Sequence, residues 1–371
     1  MIKKIILFSV LTLIMACSSS DDSKGGSTDD FNRSALLINL ADNIIIPAYK
    51  DFGPKLTTLK DAIEAFVETP NQSNLDTARN KWLTAYKAWQ HVEMFNIGKA
   101  ESLNEYYYFI NIYPVTVSDI ENGVTTGTYD LNTPNYHDAQ GFPALDYLLN
   151  GVATDDAGIL AKFSSDAKAQ GYKKYLTDVI NQMDDLTQQV IADWTSGYRD
   201  QFVNSTQNTA TSSLNKFVND YIFYYEKGLR ANKIGIPAGI FSTNPLPEKV
   251  EGYYNQEVSK LLTLEALNAV QDVFNGKAFN GSETGASFKT YLEYLKVDRD
   301  GKNLSAIINT QYDLARTKIE GLNSNFSQQV ISDNSKMTEA YDALQKAVVY
   351  LKLDMVQAFN ISVDYVDADG D

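Results

Sequence analysis

Histidine and cysteine are almost missing from this 371-residue chain, which has two histidines, His91 and His137, and one cysteine, Cys17. A single cysteine excludes an internal disulfide and a cysteine-paired zinc site. The histidines stand too far apart for an HExxH or HxxEH helix. A Gly-x-Ser-x-Gly elbow and a glycine-rich phosphate loop are also absent, which leaves nucleophilic hydrolysis little support. The DADGD run at 367–371 starts like a calcium loop but lacks the later bidentate acid, so it reads as a solvated tail. Positive charge is scarce as well, with 32 Lys and Arg against 47 Asp and Glu and a net charge of −15. Such a surface repels phosphate backbones and argues against nucleic-acid partners.

What is present starts with an address. Residues 1–16 carry Lys3 and Lys4, then an apolar run over 5–15 that is too short to span a bilayer, which reads as an export signal. Ile14-Met15-Ala16-Cys17 resembles a bacterial lipobox, so Cys17 is the expected lipidation site and the membrane the expected partner. The polar, acidic stretch 17–33 reads as a flexible tether. Its acids resemble surface-export signals of Bacteroidetes lipoproteins. The expected location is therefore the outer membrane, facing the periplasm or the cell surface.

Beyond residue 33, helical periodicity dominates and strand alternation is scarce. Apolar stripes predict helices over 35–67, 74–95, 162–194, 202–229, 250–274, 287–295, 304–330 and 336–359. Residues 106–120 read as two short pieces around Pro114, and 121–138 as a long loop. The glycine- and proline-rich stretch 233–249 must be a shaped connection, and alternation at 361–371 allows a little strand. The expectation is an all-α chain of two helical bundles packed side by side, 34–197 and 198–371.

A few positions stand out chemically. Trp82, Tyr86, Trp89 and Glu93 fall on one helical stripe, and a carboxylate among aromatics needs a partner. His91 reads as surface. Asp119 suits a helix N-terminus, and so does Asp146, five residues after Gly141. Glu226 and Arg230, four apart, can pair along a helix, and the guanidinium is free in principle to meet an acid or a ligand carboxylate.

Residues 141–151, GFPALDYLLNG, resemble the signature helix of the imelysin-like family of bacterial envelope lipoproteins, which includes insulin-cleaving and iron-regulated members. The family pattern is Gly-x-His-x-x-Glu, and here the histidine position is Pro143 and the glutamate position Asp146. KWLTAYKAWQHVEMFNIG, IYPVTVSDIE, FYYEKGLRANKIGIPAGIF, KVEGYYNQEVS and the segment from 350 onward resemble other family stretches in the same order. The resemblance implies functional acids at Glu93, Asp119 and Asp146, with Arg230 nearby, in a cleft between bundles. Any metal, a divalent ion such as iron, would use Glu93, Asp146 and His137, because proline offers no lone pair. The loss of the histidine favours a non-enzymatic binding protein linked to iron, haem or other nutrient uptake. The alternatives are a metal-dependent peptidase with a degenerate site and an envelope interaction scaffold.

Overall fold

The computed structural model describes residues 29–103 and 106–364. Cys17, the export segment and most of the tether lie outside the described residues, as does the tail from 365. The fold is all-α, and its strand content among the described residues is a two-residue pairing, Asp298–Arg299 with Lys302–Asn303. No helix among them is long and apolar enough to cross a membrane.

The first half is organised by three long helices, Ile46–Glu68, Gln72–Trp89 and Ala169–Asp193, with the first packed along both others. Their periodic apolar residues interlock: Phe52, Leu56, Leu59, Ile63 and Phe66 meet Leu75, Trp82, Tyr86, Leu176, Ile180 and Met183, all buried. The signature segment Gly141–Asp146 lies in this core. Trp82 Nε1 donates to the Phe142 carbonyl at 3.1 Å, and the Phe142 ring stacks on Tyr86 with centroids 4.3 Å apart. Gly141 has φ +72, and a Cβ there would fall 2.2 Å from the Ile110 carbonyl oxygen. Only glycine fits this start of the helix.

In the second half, Ser213–Phe223 runs on as a π-helix, Tyr224–Gly235, and packs with Ser259–Asn275, Leu304–Glu320 and Phe326–Val349 as a four-helix bundle. The hydrophobic core passes from one half into the other without a break. The chain also ties the halves at its start. Phe31 stacks on Tyr291, Arg33 donates to the Tyr291 hydroxyl at 2.6 Å, and Asn39 donates to the carbonyls of Gly276 and Ala286. Asp29 and Phe31, which fall within the stretch expected to be tether, are thus packed against the second half.

Several helix boundaries differ from the sequence expectation, for local reasons. The helix expected to reach residue 95 ends at Trp89, where turns take over: the Val92 and Glu93 amides donate to the Trp89 carbonyl and the Phe95 amide to that of Val92. Residues 205–212 and 321–325 interrupt two other long patterns. The helix after them, Phe326–Val349, starts ten residues earlier than its stripe suggested and kinks at Asp333. Part of the expected 121–138 loop is helical, in Val117–Thr126 and the 3-10 turn Pro134–Ala139. Most consequentially, 250–258 is not helix. Gly252 sits at φ +70, where a Cβ would meet Val258 at 2.3 Å, so the chain turns sharply before Ser259. Residues 361–364 form no strand.

Candidate functional site

That turn delivers Glu251 to a buried polar cluster between the halves. Glu251 and Lys233 are each 1% exposed and pair at 2.5 Å. The other Glu251 oxygen accepts from Gln90 Nε2 at 3.1 Å and from Asn111 Nδ2 at 3.0 Å. Asn111 Nδ2 also donates to Glu93 Oε1 at 2.9 Å, while its carbonyl oxygen accepts from the Tyr86 hydroxyl at 2.5 Å. Four polar side chains, Tyr86, Gln90, Glu93 and Lys233, thus converge on the Glu251–Asn111 pair. Burial raises the Glu93 carboxyl above its usual range; Lys233 pulls it down and Glu251 pushes it up. Burial also drives the Tyr113 and Tyr224 hydroxyls upward, with Glu93 and Glu251 adding to the shift.

Helix type decides which cation reaches Glu93. Tyr224 and Lys233 are nine residues apart, which in an α-helix at 3.6 residues per turn puts them on opposite faces. The π-helical winding of Tyr224–Gly235 turns less per residue and brings both to the Glu93 side. Arg230 points elsewhere. It is wholly buried in the second bundle, donating to the Tyr341 hydroxyl and to Gln345, 3.9 Å from Glu226, with its guanidinium over the Tyr341 and Phe241 rings. The i,i+4 pair with Glu226 forms as expected but in the core, where Lys352 also reaches Glu226 at 3.5 Å.

Asp146 has its own surroundings. It is 1% exposed; one oxygen accepts from the Tyr254 amide at 2.9 Å, the other from the Asn255 amide at 2.9 Å and from Asn150 Nδ2 at 3.0 Å. These donors favour the charged form, yet burial wins and its pKa is pushed up to about 7. Asp146 clamps the signature helix to the turn that carries Glu251. Beside it, Pro143, Tyr113, Pro114, Lys249 and Tyr253 line a cavity of about 330 Å³.

The other expected site residues are not drawn in. Asp119 is half-buried in the first turn of Val117–Thr126, whose free amides favour an acid. The His137 ring stacks on Tyr108, meets Phe109 edge-on, and has its pKa lowered chiefly by burial. His91, expected at the surface, bridges the halves, with Nε2 3.3 Å from Glu265 and its ring against Phe279.

A metal of the kind the family signature implies does not fit these residues. Among the described residues no three His, Cys, Asp or Glu side chains group closely enough to hold one ion, so the set Glu93, Asp146 and His137 is not assembled. Pro143 has no ligating atom, both Asp146 oxygens are engaged, and Glu251 is neutralised by Lys233.

The residues missed from sequence were Lys233 as a site cation, Glu251, Asn111, Gln90 and Tyr86. One signal was available: an acid directly before Gly252 and after Pro245 and Pro247 belongs to a turn, and turns present side chains.

Against known proteins, the imelysin (peptidase M75) family model matches residues 45–355. Iron-regulated protein A of Synechococcus elongatus is 28% identical over 93 residues, 25% of this chain, and the match spans about a quarter of that protein's length, 24%. The fold is similar to that of an iron-regulated protein A precursor from Parabacteroides distasonis, with TM-score 0.70, 18% identity, and coverage of 90% of this chain and 97% of that one. It is also similar to an imelysin-like protein from Psychrobacter arcticum, with TM-score 0.66, 16% identity and the same coverages. At such identities these two likenesses speak for the fold alone. The family match runs through both halves and takes in Glu93, Pro143, Asp146, Lys233 and Glu251, and the chain belongs to the imelysin family.

Proposed function

We propose that this protein is a lipid-anchored envelope protein, held through Cys17 at the outer membrane, that binds a small ligand between its two halves and does not hydrolyse peptides. The observation that carries this reading is the state of the signature segment. Pro143 offers no ligand atom and Asp146 spends both oxygens on Tyr254, Asn255 and Asn150, so the acid works as a clamp. A metallopeptidase needs an open metal position with a water to activate. A binding site needs a concave pocket with a few placed polar groups, and the 330 Å³ cavity beside Asp146 and the cluster around Glu93 supply both. The name iron-regulated protein A, borne by two relatives, supports a role tied to iron or nutrient supply.

The test is metal content by mass spectrometry on the full chain purified without chelator, alongside hydrolysis of an unfolded polypeptide. No stoichiometric metal and no cleavage are expected. About one ion per chain that disappears in Asp146→Ala, together with metal-dependent cleavage, would overturn the reading.

A further inference from the structure

The walls of the 330 Å³ cavity beside Asp146 are mostly apolar and flat. Pro114, Pro143 and Val250 line it together with the rings of Tyr113, Tyr253 and Tyr254. Tyr254 meets Tyr147 edge-on with centroids 5.2 Å apart and Tyr253 edge-on at 5.1 Å, so neighbouring rings hold these faces in place. Tyr253 is nevertheless 37% exposed, which leaves much of an aromatic ring uncovered at a concave site. Pro143 stands where the family has its histidine, so the change that removes a metal ligand also adds an apolar wall.

The charged groups of the lining are few and unequal. Asp146 has both oxygens engaged by the Tyr254 and Asn255 amides and by Asn150, and burial pushes its pKa up to about 7, which weakens the negative charge it brings near neutral pH. Glu248 is exposed, where water and salt screen it. Lys249 is different. It is half-buried, and among the described residues no acid lies within ion-pairing distance of its ammonium and no group accepts a hydrogen bond from it. A lysine ordinarily carries its head group out to water. One drawn part-way into a cavity wall without a counter-charge calls for an anion.

The chemistry of that anion follows from the same walls. One ammonium balances one negative charge, which suits a carboxylate. A phosphate dianion would meet a single lysine with no arginine fork, and would feel the two nearby acids more strongly. The flat faces of tyrosine and proline suit a planar ring, and the volume is at the lower end for ligand cavities, enough for one or two rings.

We propose that this cavity takes a small aromatic monocarboxylate, with its ring against the tyrosine and proline faces and its carboxylate on Lys249. This deepens, and rests on, the reading of the protein as a ligand-binding member of its family.

The experiment titrates the full chain, in mild detergent, with benzoate, benzyl alcohol, benzylammonium and acetate, followed by calorimetry and by ligand-observed NMR. Saturable binding of benzoate is expected. The two aromatic probes without its negative charge, and acetate without its ring, should each bind about tenfold more weakly or worse, as loss of a charge-assisted contact or of the ring's buried area implies. Lys249→Met should weaken benzoate by about tenfold and leave benzyl alcohol unchanged, Lys249→Arg should hold benzoate within a few-fold, and Tyr253→Ala should weaken both aromatic probes by a few-fold. No saturable benzoate binding, equal or tighter binding of any of the other three probes, or unchanged benzoate affinity in a folded Lys249→Met variant would each overturn the proposal. The probe series is read on the wild type, so a misfolded variant leaves the test intact. Metal content and peptide hydrolysis are read independently, so a metal-free, non-cleaving protein that ignores benzoate loses this inference while the broader function stands.

Discussion

Asp146 and Glu93 are two carboxylates at the junction of the same two halves, and they meet burial in opposite ways. Asp146 accepts three hydrogen bonds, two of them from the backbone, and holds a turn in place. Glu93 accepts from side chains alone, at 2.9 Å from Asn111 and more loosely from Trp89 and Tyr224, beside a cavity. Burial raises the pKa of both. The difference teaches how a buried acid is held: backbone amides fix Asp146 to a turn, whereas Glu93 depends on the side chains that the two halves bring to it. The position that carries the family's signature acid has here become the structural one.

The sharpest way to break the comparison is to remove the ion pair at the centre of the cluster. Lys233→Met takes from Glu251 its one cationic partner and is expected to cost about 3–5 kcal/mol in urea unfolding, whereas replacing both partners, Lys233→Met with Glu251→Leu, should recover much of that loss.

Next in size is Asp146→Ala, which strands the Tyr254 and Asn255 amides and should cost about 2–3 kcal/mol. Its pH signature distinguishes clamp from ligand. Folded Asp146 keeps its proton up to about pH 7, whereas the unfolded chain releases it near the ordinary value of 3.8. The folded state therefore binds more protons between those limits. The contribution of Asp146 is full below the lower limit and is lost as pH rises through the upper one. Stability of the wild type relative to Asp146→Asn, measured by denaturant titration at pH 4 to 8, should fall across that window by about 2–4 kcal/mol and then level off.

Glu93→Gln should do much less to the fold. Removing a charge that burial disfavours, while keeping an amide oxygen for the neighbouring donors, is expected to change stability by under about 1 kcal/mol, with the melting temperature held or raised. A large loss would make Glu93 structural after all and erase the contrast. Smallest is Pro143→His, which restores the family's histidine. Metal content by mass spectrometry should stay at background, because the Asp146 oxygens remain occupied by backbone amides.

Much of this was legible from residues alone where periodicity is strong. The Trp82, Tyr86 and Trp89 stripe is buried as its spacing demands, and the i,i+4 spacing of Glu226 and Arg230 correctly paired them. Legibility failed where the backbone leaves the 3.6-residue repeat. The 250–258 turn carries Leu-free, glycine-broken sequence that still matched a helical window, and it hid Glu251. The π-helical run from Tyr224 rotated Lys233 into the site and left Arg230 to the second bundle's core. The meeting of Glu93, Asp119, Asp146 and Arg230 in one cleft was implied by the family resemblance; Arg230 is instead buried against Tyr341 and Gln345.

The sequence by itself determined the helical class, the acidic surface, the family resemblance and the missing histidine of the signature, because each is a matter of residue type, count or local period. How each acid is satisfied was decided only by tertiary structure. Gln90 and Asn111 reach Glu251, and the Tyr254 and Asn255 amides reach Asp146, across the junction of the two halves, and hydrogen-bond reach over such separations depends on how the bundles pack, which no local spacing encodes.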